Sequence, residues 1–316
     1  FSDNTFGTWR SRLSLSQQSE HDTFSEYGSY EAAYGYTTQV QVLSWVNTLP
    51  IGENWLGTAG VEEQQQHVKT ESTDGTPPYD INRVADAVFV GMEGCFGPLT
   101  VQLNLRNDKI GEARKDTGYL GLGYSLTDAL KLTASTSTAF NAPPLGYLYD
   151  PWAGNALLKP ELANSHEVGV QYAVGTHLLR ASYFDSSIQD QLVYDFSTFT
   201  FANVNRARNT GVEVSYRGAI GTTELRASLT QQNPVDEATG QTLARRAKTM
   251  ASVGVTQPFG AWRAGADVRY VGDRSDISTA TSPGTPVVLG AYSVLDLTVA
   301  YRYSAQLMLK ARLDNA

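Results

Sequence analysis

Hydrophobic and polar residues alternate with a period of two along almost the whole chain. The segments 99–106, 262–270, 295–302 and 306–313 each place apolar residues at every second position and mostly polar residues between them. This pattern predicts strands with one apolar face and one polar face. The sequence contains no long amphipathic helix, so we expect an all-β protein.

About fifteen strands are predicted, and most have about ten residues. They are expected near 9–20, 36–48, 54–70, 81–93, 98–107, 115–125, 130–140, 165–174, 178–189, 208–218, 223–231, 247–257, 261–271, 291–303 and 306–316. Strands of this length cross a bilayer at a tilt. The strand pattern therefore permits a membrane protein.

The predicted connections fall into two length classes. Short turns are expected at 94–97, 126–129, 174–177, 218–222, 257–261 and 304–305, and long segments at 141–165, 188–206, 231–246 and 271–290. Short turns at one end and long loops at the other are typical of a transmembrane antiparallel up-and-down β-barrel. A β-propeller packs four strands into each repeat of about 40 residues, whereas a stretch of that length in this chain holds two long strands and one long loop. A soluble sandwich has shorter strands and no such sorting of connections.

Charged residues indicate which strand face meets lipid. In the regular strands the charged residues share the polar face. They are Arg106, Lys131, Glu167, Glu213, Arg217, Glu224, Arg226, Asp267, Asp296 and Lys310. An Arg or Lys facing lipid at mid-bilayer costs about 2–4 kcal/mol. We therefore expect the apolar face to meet lipid and the charged face to line the interior. The early strands are less regular, because Arg83 and Asp86 fall on opposite faces.

Aromatic residues near the predicted strand ends form a further pattern, comprising Trp45, Trp55, Tyr172, Tyr216, Trp262 and Tyr303. Amphipathic rings concentrate where a barrel passes from lipid to water. Ordinary strand propensity is the plainer explanation for some of them.

Composition narrows the function. The 316 residues carry a net charge of −8, which argues against nucleic-acid binding. Cys95 is the single cysteine, so a disulfide framework and a multi-cysteine metal site are excluded. No catalytic histidine pair, GxSxG motif or phosphate-binding glycine loop is present. We therefore predict no catalytic residue, no cofactor and no metal site. The acidic stretch Glu71, Asp74 and Asp80 lacks EF-hand spacing.

Three segments carry a family resemblance. Residues 138–149 read TAFNAPPLGYLY and residues 154–161 read GNALLKPE. Together they resemble the "AF.AP....LY... GNP.LKPE" stretch of TonB-dependent outer-membrane receptors. Residues 203–213, NVNRARNTGVE, resemble that family's "N.GRARI.GVE", and residues 243–248, LARRAK, resemble its "LLRRAKH". Departures are Ala156 in place of a proline, Asn205 in place of glycine and Asn209 in place of isoleucine.

The resemblance covers about 98–316 best and is closest to the cobalamin-receptor subfamily. It implies an outer-membrane barrel of about 22 strands that binds a scarce large ligand, with cobalamin favoured and a ferric siderophore next. It also implies transport energised by the TonB complex through a plug domain. We expect residues 1–316 to form part of such a barrel in contact with outer-membrane lipid, with the plug domain and the final strand absent. A passive porin, or another barrel without a transport role, is the alternative.

Candidate ligand-binding residues lie in two of these segments. They are Tyr147, Tyr149, Trp152, Asn155, Asn203, Asn205 and Arg206. Clustered aromatics with polar tips suit a large amphipathic ligand, and an arginine suits an anionic ligand or the plug. Packing of the loop against its neighbours and hydrogen bonds within the barrel are the alternative roles.

Overall fold

The computed structural model describes residues 2–6, 8–25, 33–72, 75, 77–111, 113–195, 197–278 and 285–316. Eighteen strands and one short helix occur in these described ranges. The strands are β1 (Ser2–Phe6), β2 (Trp9–Ser25), β3 (Ala33–Ile51), β4 (Trp55–Ser72), β5 (Asp80–Phe96), β6 (Leu99–Ile110), β7 (Ala113–Ser125), β8 (Leu130–Asn141), β9 (Glu161–Val174), β10 (His177–Asp195), β11 (Thr200–Ile220), β12 (Thr223–Asp236), β13 (Thr249–Phe259), β14 (Trp262–Val271), β15 (Arg274–Ser278), β16 (Thr285–Leu289), β17 (Tyr292–Arg302) and β18 (Met308–Leu313). The helix is α1 (Leu145–Tyr149).

The all-β prediction is confirmed. Each predicted strand corresponds to one of β2–β14, β17 and β18, while β1 and the hairpin β15–β16 were not predicted. The prediction of a long loop at 188–206 is wrong, because β10 extends to Asp195 and β11 begins at Thr200. This stretch mixes Val, Tyr, Phe and Thr, which favour strands, with Ser, Asn and Asp, which favour turns. Hydrogen-bond pairing therefore extends beyond the alternating pattern.

The main sheet is an antiparallel meander. Its strand order in the described residues is β1–β14 followed by β17 and β18, and β15 pairs only with β16. Connections at one end of the strands are short, at 52–54, 97–98, 126–129, 175–176, 221–222, 260–261 and 303–307. The other end, here called the long-loop end, carries 142–160, 237–248 and 272–291. The predicted division into short and long connections is thus present, with 111–112 and 196–199 as short exceptions at the long-loop end.

The described residues group into two compact units. The first comprises Phe1–Leu122, Thr136–Asn164 and Ile188–Asn205. The second comprises Gly123–Ser135, Ser165–Ser187 and Arg206–Ala316. In the described part of the chain, no helix is long and apolar enough to cross a membrane.

Apolar side chains of the strands are mostly exposed. On β5 of the first unit, Val88 and Val90 are each more than half exposed, whereas Ala87, which directly precedes Val88, is buried. On β13 of the second unit, Val253 is 59% exposed and lies directly opposite Val268 of β14. Within the described residues, the buried hydrophobic residues are Val68, Ala87, Leu145, Leu158, Ala207 and Ala247. Apolar exposure on this scale indicates a surface that contacts something other than water.

The opposite face of the strands carries ion pairs. In the second unit, Arg226 of β12 contacts Asp267 of β14 at 2.6 Å, across Gly254 of β13. A side chain at position 254 would overlap both partners, so glycine is what allows the contact across the middle strand. Asp296 lies directly opposite Asp267, is 5% exposed and pairs with Arg269 at 2.9 Å. Each acid of this like-charged pair therefore has a cation beside it.

Candidate ligand-binding site

The connection between β8 and β9, residues 142–160, is here called the α1 loop. Pro143 and Pro144 end the β8 ladder because proline lacks a backbone donor. Pro144 then precedes α1, and its carbonyl accepts hydrogen bonds from the backbone of Tyr147 at 3.0 Å and Leu148 at 3.3 Å. Leu145, at the start of α1, is only 5% exposed. The loop thus begins with a short helix fastened by one buried leucine.

A tight turn follows the helix. The Asp150 carboxylate accepts hydrogen bonds from the backbone N–H groups of Trp152 at 2.9 Å and Ala153 at 2.8 Å. Gly154 donates to the Asp150 carbonyl, and a side chain on Gly154 would collide with the Asp150 backbone. This turn leaves the Trp152 side chain 76% exposed. Local hydrogen bonds therefore present the tryptophan at the surface of the loop.

The α1 loop packs on the hairpin of β10 and β11 within the first unit. The rings of Tyr147 and Phe201 are stacked with centroids 3.8 Å apart, and Tyr194 meets Phe201 edge-on at 5.3 Å. The Phe201 backbone N–H donates to the Ala153 carbonyl, and the Asn155 amide donates to the Phe201 carbonyl, both at 2.9 Å. Ring stacking and backbone pairing thus hold the middle of the loop in one place.

Asn203 holds the end of the α1 loop. Its amide oxygen accepts from the Lys159 N–H at 2.9 Å, and its amide nitrogen donates to the Lys159 carbonyl at 3.0 Å. The same nitrogen donates to the Asp190 carbonyl at 2.6 Å. One side chain therefore satisfies three backbone groups of two segments.

Glu161 closes the base of the loop. Its carboxylate accepts from the Asn141 amide at 2.9 Å and from the Leu192 N–H at 2.7 Å. Glu161, the last residue of the family-like segment 154–161, therefore anchors the base of the loop.

The structure separates the predicted site residues by role. Tyr149 and Trp152 are exposed, whereas Tyr147, Asn155 and Asn203 are engaged in loop packing and hydrogen bonds. These five share the first unit. Arg206 belongs to the second unit, where its guanidinium pairs with Glu237 at 2.8 Å. Asn205 lies in β11, and its side chain lies outside the described residues.

Sequence reasoning did not identify a cavity beneath the α1 loop. Its volume is about 390 Å³, and its polar lining includes Arg83, Asp108, Lys115 and Tyr149. These residues come from separate strands and from the loop, so no single motif marks them. The one signal was the position of Arg83, which broke the regular pattern of β5.

Metal-binding chemistry has no support in the described residues. No three His, Cys, Asp or Glu side chains in those ranges gather closely enough to hold a metal ion. Of the acidic stretch considered for calcium, Asp74 lies outside the described residues, and Asp80 is hydrogen-bonded to His67 at 2.7 Å.

An antiparallel meander with exposed apolar faces and ion-paired polar faces defines the class of outer-membrane β-barrel proteins. The family model described as TonB dependent receptor-like, beta-barrel, matches residues 1–316, and the chain belongs to this family. Its place is therefore the outer membrane.

Curated relatives are named as vitamin B12 transporters. The chain is 28% identical over 278 residues to BtuB of Vibrio vulnificus, covering 86% of this chain and 44% of that protein. It is 27% identical over 314 residues to BtuB of Vibrio cholerae, covering 97% of this chain and 50% of that protein. The chain thus spans about half the length of these relatives. Their names describe transport and not catalysis. This agrees with the prediction that the chain has no enzymatic activity.

Solved structures share the fold at lower identity. The ferric enterobactin receptor PfeA of Pseudomonas aeruginosa matches with a TM-score of 0.84 and 17% identity, over 99% of this chain and 55% of that chain. The siderophore receptor PirA of Acinetobacter baumannii also matches with a TM-score of 0.84, at 15% identity, over 99% and 57% of the two chains. Both likenesses concern the fold alone.

Proposed function

We propose that the whole protein is an active-transport receptor that binds a corrinoid of the vitamin B12 type at its long-loop end. The observation that carries this proposal is the identity to vitamin B12 transporters over 86–97% of the chain. The family-like segments 138–161 and 203–213 also contribute to the α1 loop and its support. Transport would depend on the TonB complex acting through a plug domain, as the family resemblance implies.

The described geometry supports different parts for the candidate residues. Trp152 and Tyr149 are the exposed aromatics and would contact the flat faces of a large ligand. Tyr147, Asn155 and Asn203 would position the loop, because their rings and amides already bind the β10–β11 hairpin. Asn205 remains a candidate polar contact from β11, and Arg206, in the second unit, is a separate candidate. A loop held in place before the ligand arrives loses less entropy on binding.

Radiolabelled cyanocobalamin tests the proposal. Cells that express the intact gene should bind and accumulate it saturably, and cells without the gene should not. Accumulation should stop when TonB is removed, while surface binding persists. Trp152→Ala should weaken binding by about tenfold, which is typical of a well-packed aromatic contact. Absence of specific binding would refute the cobalamin assignment.

A ferric siderophore is the second candidate, favoured by the likeness of the fold to solved siderophore receptors. Saturable binding of ferric enterobactin without cyanocobalamin binding would change the ligand and keep the receptor class. A large, steady ion conductance through the purified protein would instead favour a passive porin.

A further inference from the structure

The cavity beneath the α1 loop is a feature of the first unit to which no role has yet been assigned. Its wall is formed by Ile81–Val84 of β5, by the end of β6, by the start of β7 and by the α1 loop. Ile110, Leu145, Leu148 and Leu158 supply apolar surface. A volume of about 390 Å³ lies within the range of small-molecule sites, which are mostly apolar with a few placed polar groups.

Arg83 brings one positive charge to this cavity. Its Nε and Nη2 donate to the Gln66 amide oxygen at 2.9 and 2.6 Å, and its Nη1 donates to the Pro143 carbonyl at 2.6 Å. All of these acceptors are neutral. A guanidinium has five N–H donors, so two remain for a further partner.

Lys115 brings a second positive charge. Its side chain is partly buried and lines the same cavity. Asp108 is the acid in the wall, but it already accepts from Arg106 Nε at 2.9 and 3.0 Å. Among the described residues, no carboxylate forms a salt bridge with either Lys115 or Arg83. In the described residues, Arg83 and Lys115 thus line the cavity without a bound carboxylate, while the acid of the wall, Asp108, is bound to Arg106.

We propose that this cavity binds an amphipathic anion, whose carboxylate or phosphate group is held between Lys115 and Arg83. The apolar part of the anion would pack on Leu145 and Leu148. A partly buried cation costs free energy unless an opposite charge meets it, and a charge-assisted hydrogen bond is stronger than a neutral one. The proposal deepens and rests on the proposed receptor function, since it assigns a subsite to the anionic arm of the transported ligand.

Two probes that differ in charge test the proposal without using the transported ligand. The protein as expressed in the outer membrane, purified in a non-ionic detergent, is titrated with 4-iodobenzoate and with its neutral analogue 4-iodobenzamide. We expect iodobenzoate to bind at least about tenfold more tightly than the amide. Anomalous scattering from iodine in crystals should place the ring beside Leu145 and the carboxylate toward Lys115.

Matched variants then assign the charge. Lys115→Gln should weaken iodobenzoate binding by about tenfold and leave iodobenzamide unchanged. Lys131→Gln, on β8 outside the cavity, should change neither. Equal binding of the two probes, insensitivity to Lys115→Gln, or iodine density only outside the cavity would overturn the proposal. Probe binding in a protein that fails to take up cyanocobalamin would refute the proposed ligand and leave the anion site standing.

Discussion

Single side chains decide the shape of the α1 loop. Asn155 and Asn203 appear in the sequence as polar residues suited to ligand contact, yet their amides bind backbone groups of this chain. An amide that satisfies several buried backbone groups is costly to remove, because each group left unpaired costs about 1–3 kcal/mol. Trp152 differs from both asparagines because most of its side chain is exposed.

Replacing Asn203 with alanine should release the end of the α1 loop. The Lys159 N–H and the Asp190 carbonyl would lose their partner, so amide hydrogens in residues 153–160 should exchange at least about tenfold faster. Hydrogen–deuterium exchange followed by mass spectrometry measures this directly. Asn233→Ala, at an exposed position of β12, is the matched control. Unchanged exchange in both variants would show that Asn203 does not hold the loop.

The strands of this protein form from a local sequence pattern, whereas the α1 loop depends on contacts between distant segments. A strand needs only alternation and a neighbour, and the regular pairing of β12, β13 and β14 shows both. The α1 loop depends on contacts with β10 and β11 that are distant in sequence. Many apolar side chains of the described strands are exposed, so we expect their free energy to depend on contact with lipid.

An arginine on the apolar face should therefore destabilise the protein much more than one on the polar face. Val253→Arg should lower the free energy of unfolding by about 2–4 kcal/mol, measured by urea titration in phospholipid vesicles. Ser228→Arg provides the control, because Ser228 lies beside Ser252 at nearly the same strand level on the polar face. Equal losses in the two variants would contradict the assignment of faces.

For the whole molecule, membership of the TonB-dependent receptor family places the protein in the outer membrane. We then expect the two ends of the strands to lie on opposite sides of the outer membrane. Because the family resemblance implies extracellular long loops, Trp152 is expected at the cell surface and the 221–222 turn in the periplasm.

Cysteine labelling tests this orientation. In a Cys95→Ser background, Trp152→Cys should react with a membrane-impermeant maleimide on intact cells, since the position is highly exposed. Thr222→Cys, also exposed, should react only after the cells are broken. The reverse pattern would place the long loops in the periplasm.

Alternation predicted the all-β class and most of the strands, because side chains of a strand point alternately to opposite faces. The barrel class needed the two lengths of connection as well. Asp267 was expected on the polar face, where it pairs with Arg226. The pattern failed at 188–206 and at the β15–β16 hairpin, where pairing continues without a regular apolar face.

Contacts between distant segments required the three-dimensional structure. The stack of Tyr147 on Phe201, the three backbone partners of Asn203 and the meeting of Arg83 with Lys115 in one cavity join residues far apart in the chain. Alternation of apolar and polar residues predicts which face of a strand a residue occupies. It does not predict which loop packs on that face. Strand identity is thus local information, whereas the site depends on how the α1 loop packs against β5–β7, β10 and β11.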